Sequence, residues 1–450
     1  MLLCPDKHRC KEKSPFNAKF CAFCGTPLVT VPSWSNAGYN CQRTSAYPSL
    51  KNGPSLKRQI QVSMDHSFVE DEMDEIDVTN LPQPIMAHNM LWVFATRQAS
   101  LFGIKLSSEN GHLIVPKDKK KWIESNLNMN GTPVYANTPV YDGVYLNLIY
   151  DDKFARISTY DGLSDGQELT NNAFEFTQKV SPVITEAMDK DTKKMVRYFI
   201  TALKEYILVV DISSKGDESY VLIPWGNKDG EDEIRSPVCD GEKVYFLTKD
   251  GKRFCLPVNV AFSELEKLKK HESLGKVTGV HFYAPLLISS YMIAECFKLK
   301  KDGNGVGALM AMDLKTKKTT VVGFNPKARE NYAKSRSYLP GICINDHVYF
   351  SIRNNIYERL KPGLRPEKKE FRKKDFPEFW PLNAISVGSR LIVYNQRKNQ
   401  LIIQETSGTF NDRIMEIHSN IDRKPLCGQP LIFGKILVLY FLDKIVFFNI

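Results

Sequence analysis

Pro237-Val-Cys-Asp-Gly-Glu-Lys-Val-Tyr-Phe246 sets a pattern that the rest of the chain repeats: a proline, an apolar pair, a polar turn, and a strand of Val, Tyr and Phe. The Asp240-Gly241 step is hairpin chemistry, because glycine accepts the positive φ that a tight turn demands. Reading outward, the pattern recurs as Pro139-Val-Tyr-Asp-Gly-Val-Tyr145 and Pro340-Gly-Ile-Cys-Ile-Asn-Asp-His-Val-Tyr-Phe350, and in shorter form at Pro84, Pro182, Pro285, Pro381 and Pro430. First to last is 430 − 84 = 346 residues over seven steps, about 49 per step, within the roughly 40–50 residues of a four-stranded propeller blade. The spacing predicts an all-β chain with a β-propeller over residues 65–450. It has eight blades if every repeat forms one, and seven if a weak repeat is an excursion.

Strand pairs are legible inside the repeats: Leu91–Ala95 with Leu101–Ile104, Val144–Ile149 with Phe154–Ser158, Val244–Leu247 with Arg253–Leu256, and Val348–Ile352 with Ile356–Leu360. Asp142-Gly143 and Asp250-Gly251 add two further hairpin turns. Ser263–Ser273 reads as a short helix inserted between two blades. The chain ends at Lys444–Ile450 with no room for a fourth strand, and a ring must close to avoid an unpaired edge. The acidic stretch Ser67–Val78 is expected to supply that outer strand, with Phe68, Met73 or Ile76 packing inward.

The 450 residues are 42% hydrophobic and 25% charged, ordinary values for a globular protein. No apolar run has the length of a signal peptide or of a membrane span, so the expected compartment is the cytoplasm and no membrane contact is expected. The net charge of +10 is uneven. Residues 1–60 carry nine Lys and Arg against Asp6 and Glu12, residues 61–80 carry seven acids and no base, and the two stretches cancel. The surplus belongs to the repeats. Lys361–Lys374, with seven basic residues, and Lys117–Trp122 read as solvated loops, with phosphate binding as the competing reading. Aromatic residues are explained by blade-on-blade packing before base stacking.

Residues 31–64, rich in Ser, Asn, Pro and Gly, read as a flexible linker. Ahead of it, four of the ten cysteines cluster as Cys4, Cys10, Cys21 and Cys24, while Cys239, Cys255, Cys296, Cys343 and Cys427 fall in strand-like segments where a thiol acts as a small hydrophobe. Cys41 lies in the linker, and no disulfide framework is read. The eight histidines lack metal or triad spacing, and no nucleophile elbow, phosphate loop or paired-carboxylate motif occurs.

Cys4-Pro-Asp-Lys-His-Arg-Cys10 followed by Cys21-Ala-Phe-Cys24-Gly25 resembles a zinc ribbon, here spanning residues 1–30. The resemblance implies one structural Zn2+ per chain held by Cys4, Cys10, Cys21 and Cys24, with no open coordination position for catalysis. His8 stands as an alternative to one thiolate. Such a small module would draw its folding energy from the metal. In the repeats, Ala311-Met-Asp313-Leu-Lys-Thr316-Lys317-Lys318-Thr-Thr-Val321 resembles the recurring motif of quinoprotein-type, WD-like propellers, with Lys317 replacing a glycine and Val321 a docking tryptophan. Val209-Val-Asp211-Ile-Ser-Ser214 is a weaker echo. The resemblance implies architecture and carries no quinone-binding residues.

These readings lead to a non-enzymatic scaffold: a propeller face for a protein partner, and a tethered zinc ribbon as a second contact. A nucleic-acid-associated protein using the basic ribbon and loops is the alternative, and an enzyme or small-ligand binder at the channel is the third. Partner and oligomeric state are not legible.

Overall fold

The computed structural model describes four short N-terminal stretches (2–3, 13–14, 46–47 and 58–63), most of residues 82–328, and stretches within 342–360, 384–416 and 426–449. Among these the chain is almost entirely antiparallel strand, laid out as successive meanders. Sheet 1 contains Ile85–Ala87, Met90–Ala95, Ser100–Lys105 and Ile123–Asn126. Sheet 2 contains Val140–Tyr141, Tyr145–Tyr150, Lys153–Ser158 and Ser164–Glu168. Sheet 3 contains Val183–Met188, Met195–Ala202, Tyr206–Asp211 and Tyr220–Pro224. Sheet 4 contains Val238–Cys239, Lys243–Leu247, Lys252–Pro257 and Glu272–Lys276. Sheet 5 contains Val280–Ile288, Tyr291–Leu299, Gly305–Asp313 and Thr319–Ala328. Sheet 6 shows Ile342–Ile344, His347–Ser351 and Tyr357–Leu360. Sheet 7 contains Ala384–Val387, Arg390–Asn395, Gln400–Glu405 and Arg413–Glu416, and sheet 8 contains Leu431–Phe433, Ile436–Tyr440 and Lys444–Asn449.

The sheets are arranged as in a β-propeller. First strands of neighbouring sheets lie against one another from sheet 2 through sheet 5, and the first strand of sheet 8 lies against that of sheet 1. The apolar cores sit between sheets. One joins sheets 1 and 2 through Trp92, Leu101, Leu148 and Ile157, and another joins sheets 4 and 5 through Leu247, Cys255, Phe282 and Met292. A third packs Leu91 and Ile104 of sheet 1 with Ile392 and Tyr394 of sheet 7 and Leu437 and Phe447 of sheet 8. Ring contacts also cross between sheets: Phe154 of sheet 2 to Phe199 of sheet 3 at 5.0 Å, and Tyr394 of sheet 7 to Phe441 beside sheet 8 at 5.5 Å between centroids. Each such side chain contributes roughly 1.5–3 kcal/mol by leaving water, so sheet-to-sheet packing rather than any single hairpin carries the fold.

In sheets 2, 4 and 5 the repeat's proline sits at a bulge. In sheet 2 the register runs from Ala136 opposite Tyr150 to Val140 opposite Asn147, four residues on the first strand against three on the second. Sheet 4 repeats the step from Ile234 opposite Thr248 to Val238 opposite Tyr245, and sheet 5 shows the same one-residue excess between Phe282 and Pro285. A bulge therefore precedes Val140, Val238 and Leu286, and a proline, which has no N–H to give a ladder, is at home there. The hairpin glycines Gly143, Gly241 and Gly251 all take positive φ, as the turns require. At Gly251 a Cβ would also stand 2.2 Å from the Val277 carbonyl oxygen.

Two sequence expectations change. The helix is Phe262–Lys267 alone, and it connects the third and fourth strands of sheet 4 rather than two blades, because Glu272–Lys276 pairs as that sheet's outer strand. Its Leu265 is buried in the core shared by sheets 3 and 4. The strand completing sheet 8 is Arg58–Ser63, antiparallel to Lys444–Asn449, drawn from the stretch read as linker. Ser67–Val78 lies outside the described residues.

Candidate functional site

The residues just before the repeat prolines converge where the first strands meet. Gln83, Thr138, Ser181, Ser236 and Gln429 are all buried. A residue before proline is held extended, and these residues lie just ahead of their sheets' first paired positions, where the N–H is not taken up by the ladder. That N–H reaches the next sheet: Gln83 N–H donates to Thr138 Oγ1 at 3.0 Å, and Ser181 N–H donates to Ser236 Oγ at 3.0 Å. Gln429 N–H donates to Gln83 Oε1 at 3.1 Å, so sheet 8 joins sheet 1 in the same sense as sheet 1 joins sheet 2. Ala284 holds this position in sheet 5 and has no side-chain acceptor. The polar arc thus runs from sheet 8 to sheet 4.

At the other end of the first strands, Asp142 and Asp240 close the turns. Asp142 Oδ1 accepts from the N–H groups of Val144 and Tyr145, and Asp240 Oδ1 from those of Glu242 and Lys243. Arg156 pairs with Asp142 Oδ2 at 3.2 Å, both side chains nearly inaccessible, and stacks over the Tyr145 ring. Arg197 of sheet 3 donates to the Asp142 carbonyl oxygen and pairs with Glu186 at 2.7 Å. Tyr245 donates to Asp240 Oδ2, and burial together with that carboxylate raises its phenol.

Sheets 4 and 5 share a charged latch. Glu272 accepts from Lys243 at 2.8 Å and from Lys317 of sheet 5 at 2.7 Å, and these bonds pull its carboxyl down to about 2. The Cys255 thiol donates to the same carboxylate, and burial pushes it up to about 12. Burial also raises Cys296. The thiolate is the nucleophile and the metal ligand, so these thiols are chemically quiet near neutrality. Arg253 completes the seam by donating to Thr319 Oγ1.

The quinoprotein-like motif falls on the turn between the third and fourth strands of sheet 5. Asp313 Oδ1 accepts from the N–H groups of Lys315 and Thr316, and Lys317 takes φ 58° where the related motif has glycine. Val321 is partly exposed in place of a docked tryptophan. Asp211, the echo in sheet 3, accepts from Ser213 N–H at the equivalent turn.

Cys4, Cys10, Cys21, Cys24 and His8 lie outside the described residues, as do Lys361–Lys374. Leu2–Leu3 pairs antiparallel with Lys13–Ser14. Among the described residues no group of three or more His, Cys, Asp and Glu is placed to hold a metal ion, and no helix is long and apolar enough to cross a membrane. Sequence reading missed the pre-proline arc. Its signal was a polar residue before the proline in five of the eight repeats.

No protein-family model matches the chain, and no curated protein does. Among solved structures, BamB from Moraxella catarrhalis superposes with a TM-score of 0.48 at 11% identity, over 88% of this chain and 100% of BamB. The computationally designed Ika8 protein gives 0.46 at 10% identity, over 82% and 95%. Dihydro-heme d1 dehydrogenase NirN in complex with DHE gives 0.46 at 11% identity, over 85% and 72%.

Proposed function

We propose that this chain is a non-enzymatic interaction protein of the cytoplasm: an eight-bladed, quinoprotein-like propeller that presents a rigid face to a protein partner, with a structural zinc ribbon at residues 1–30 as a second contact. The observation that carries the reading is the pre-proline arc. Polar side chains converging on the centre are engaged with neighbouring sheets, which stiffens the ring, and the buried thiols beside the seams are held protonated. A rigid ring with quiet interior chemistry suits recognition, where little ordering entropy is lost on binding.

The spacing Cys21-Ala-Phe-Cys24-Gly25 supports the zinc module, since zinc ribbons gather thiolates from tight turns. Purified protein should hold one zinc per chain, and Cys21→Ser with Cys24→Ser should release it while the far-ultraviolet spectrum of the propeller is kept. Zero zinc, or loss of zinc on His8→Ala, overturns the four-cysteine set. For the scaffold reading, affinity capture with the full chain from the native host should retain the same proteins after nuclease treatment. Capture that disappears with nuclease overturns it in favour of nucleic-acid association.

A further inference from the structure

Ala46–Tyr47 lies where a bound strand would lie. It pairs in parallel with the first strand of sheet 7, Ala46 opposite Ser386 and Tyr47 opposite Val387. That places it on the edge facing the centre of the ring, beside Ile342–Ile344 of sheet 6. Sheet 7 does not need it, because its own four strands already form the full meander. Every other ladder among the described residues is antiparallel, and none of the first strands of sheets 1 to 5 carries such an addition. A remote segment added to a complete sheet through its backbone is the geometry of strand augmentation.

The addition is short and bounded. Pro48 follows Tyr47 and brings no N–H, so the ladder cannot gain a donor there. Arg58–Ser63 is fixed on the neighbouring sheet 8, leaving 58 − 47 − 1 = 10 connecting residues. A short connection gives the tethered strand an effective concentration on the order of millimolar. A two-residue ladder can therefore hold the edge in cis and still yield to a longer strand from outside.

We infer that the inner edge of Ala384–Val387 is a peptide-docking strand, occupied in cis by Ala46–Tyr47 and taken over by an extended segment of a protein partner when that segment leaves. The partner segment supplies backbone N–H and C=O groups in parallel register over more than two residues, with no proline in the paired stretch. Only the partner's identity as a protein rests on the interaction reading above; the cis contact stands apart from it. Because the N-terminal module is joined to the same strand, release of Ala46–Tyr47 would free both the edge and the module together.

Hydrogen exchange read by mass spectrometry tests this on the full chain. In an Ala46→Pro/Tyr47→Pro variant, which removes both backbone donors, exchange of the peptide covering residues 384–387 should accelerate by about tenfold, while protection of residues 444–449 is unchanged. A synthetic peptide of residues 42–52, added in excess, should restore protection at 384–387. Unchanged exchange in the variant overturns the cis contact, and faster exchange that the peptide does not slow overturns the docking site. If the variant also loses protection at 444–449, a chain lacking residues 1–52 takes its place with the same readouts. Neither result depends on whether the propeller face captures a partner, so failure here is separable from failure of the scaffold reading.

Discussion

Gln429 N–H donates to Gln83 Oε1 at 3.1 Å, joining two residues 346 positions apart, and each of the two stands immediately before the proline of its repeat. The bond repeats what Gln83 does to Thr138 and Ser181 to Ser236. The junction between the two ends of the chain is thus built like the internal junctions.

Gln83→Ala removes that acceptor from a buried N–H, and an unsatisfied buried donor costs about 1–3 kcal/mol. Ser236→Ala does the same to Ser181. Chemical denaturation should show losses of similar size for the two variants. A loss for Ser236→Ala with none for Gln83→Ala would mean that the closing junction is not made in solution.

Removing residues 1–40 leaves Ala46–Tyr47 and Arg58–Ser63 in place, and such a chain should stay monodisperse with an unchanged melting temperature. Removing residues 1–64 takes away the partner of Lys444–Asn449 and exposes a strand edge, a template for aggregation. Size-exclusion chromatography of the two truncations should separate them sharply. Equal behaviour would show that Arg58–Ser63 does not close sheet 8.

Lys317 holds a left-handed conformation at φ 58°, which costs a side-chain-bearing residue about 1–2 kcal/mol relative to glycine. Its contact with Glu272 is largely exposed, and such pairs contribute only about 0–1 kcal/mol. Lys317→Gly should therefore raise stability by about 0.5–1 kcal/mol, read as a higher denaturation midpoint. A lower midpoint would show that the Glu272 latch outweighs the backbone strain.

Glu272 has a folded-state pKa of about 2 against an ordinary 4.5, through its bonds from Lys243 and Lys317. A depressed carboxyl contributes stability that is complete above its unfolded value and is lost as pH falls through the folded one. The native chain should lose part of its stability between pH 4.5 and about 2, and Glu272→Gln should flatten that part of the melting profile. High salt should shrink the difference, since both lysines are accessible. Parallel profiles for the two proteins over this window would rule the latch out as a source of acid sensitivity.

The helix at Phe262–Lys267 shows why sequence reading was partial. Apolar and charged residues from Ser263 to Ser273 suit a helix, yet Glu272 and Ser273 fall to the outer strand of sheet 4, because an open sheet edge beside them offers backbone partners that a helix end does not. The closing strand was missed for a related reason. Gln59-Ile60-Gln61-Val62 alternates as a strand should, but a six-residue alternation inside a Ser- and Asn-rich stretch declares nothing until the unpaired Lys444–Asn449 edge is beside it.

The sequence by itself determined the period, the hairpins and the all-β character, since these depend on local matters: alternation along a strand, the φ freedom of Gly143, Gly241 and Gly251, and the missing N–H of each repeat proline. Only the tertiary structure decided which pre-proline side chains bond across sheets, that Gln83 meets both Thr138 and Gln429, and that Ala46–Tyr47 lies on sheet 7. Those contacts join residues separated by 55 to 346 positions. They depend on an acceptor from a neighbouring sheet facing a buried N–H and on a sheet edge open to a remote segment, and neither exists before the sheets have come together.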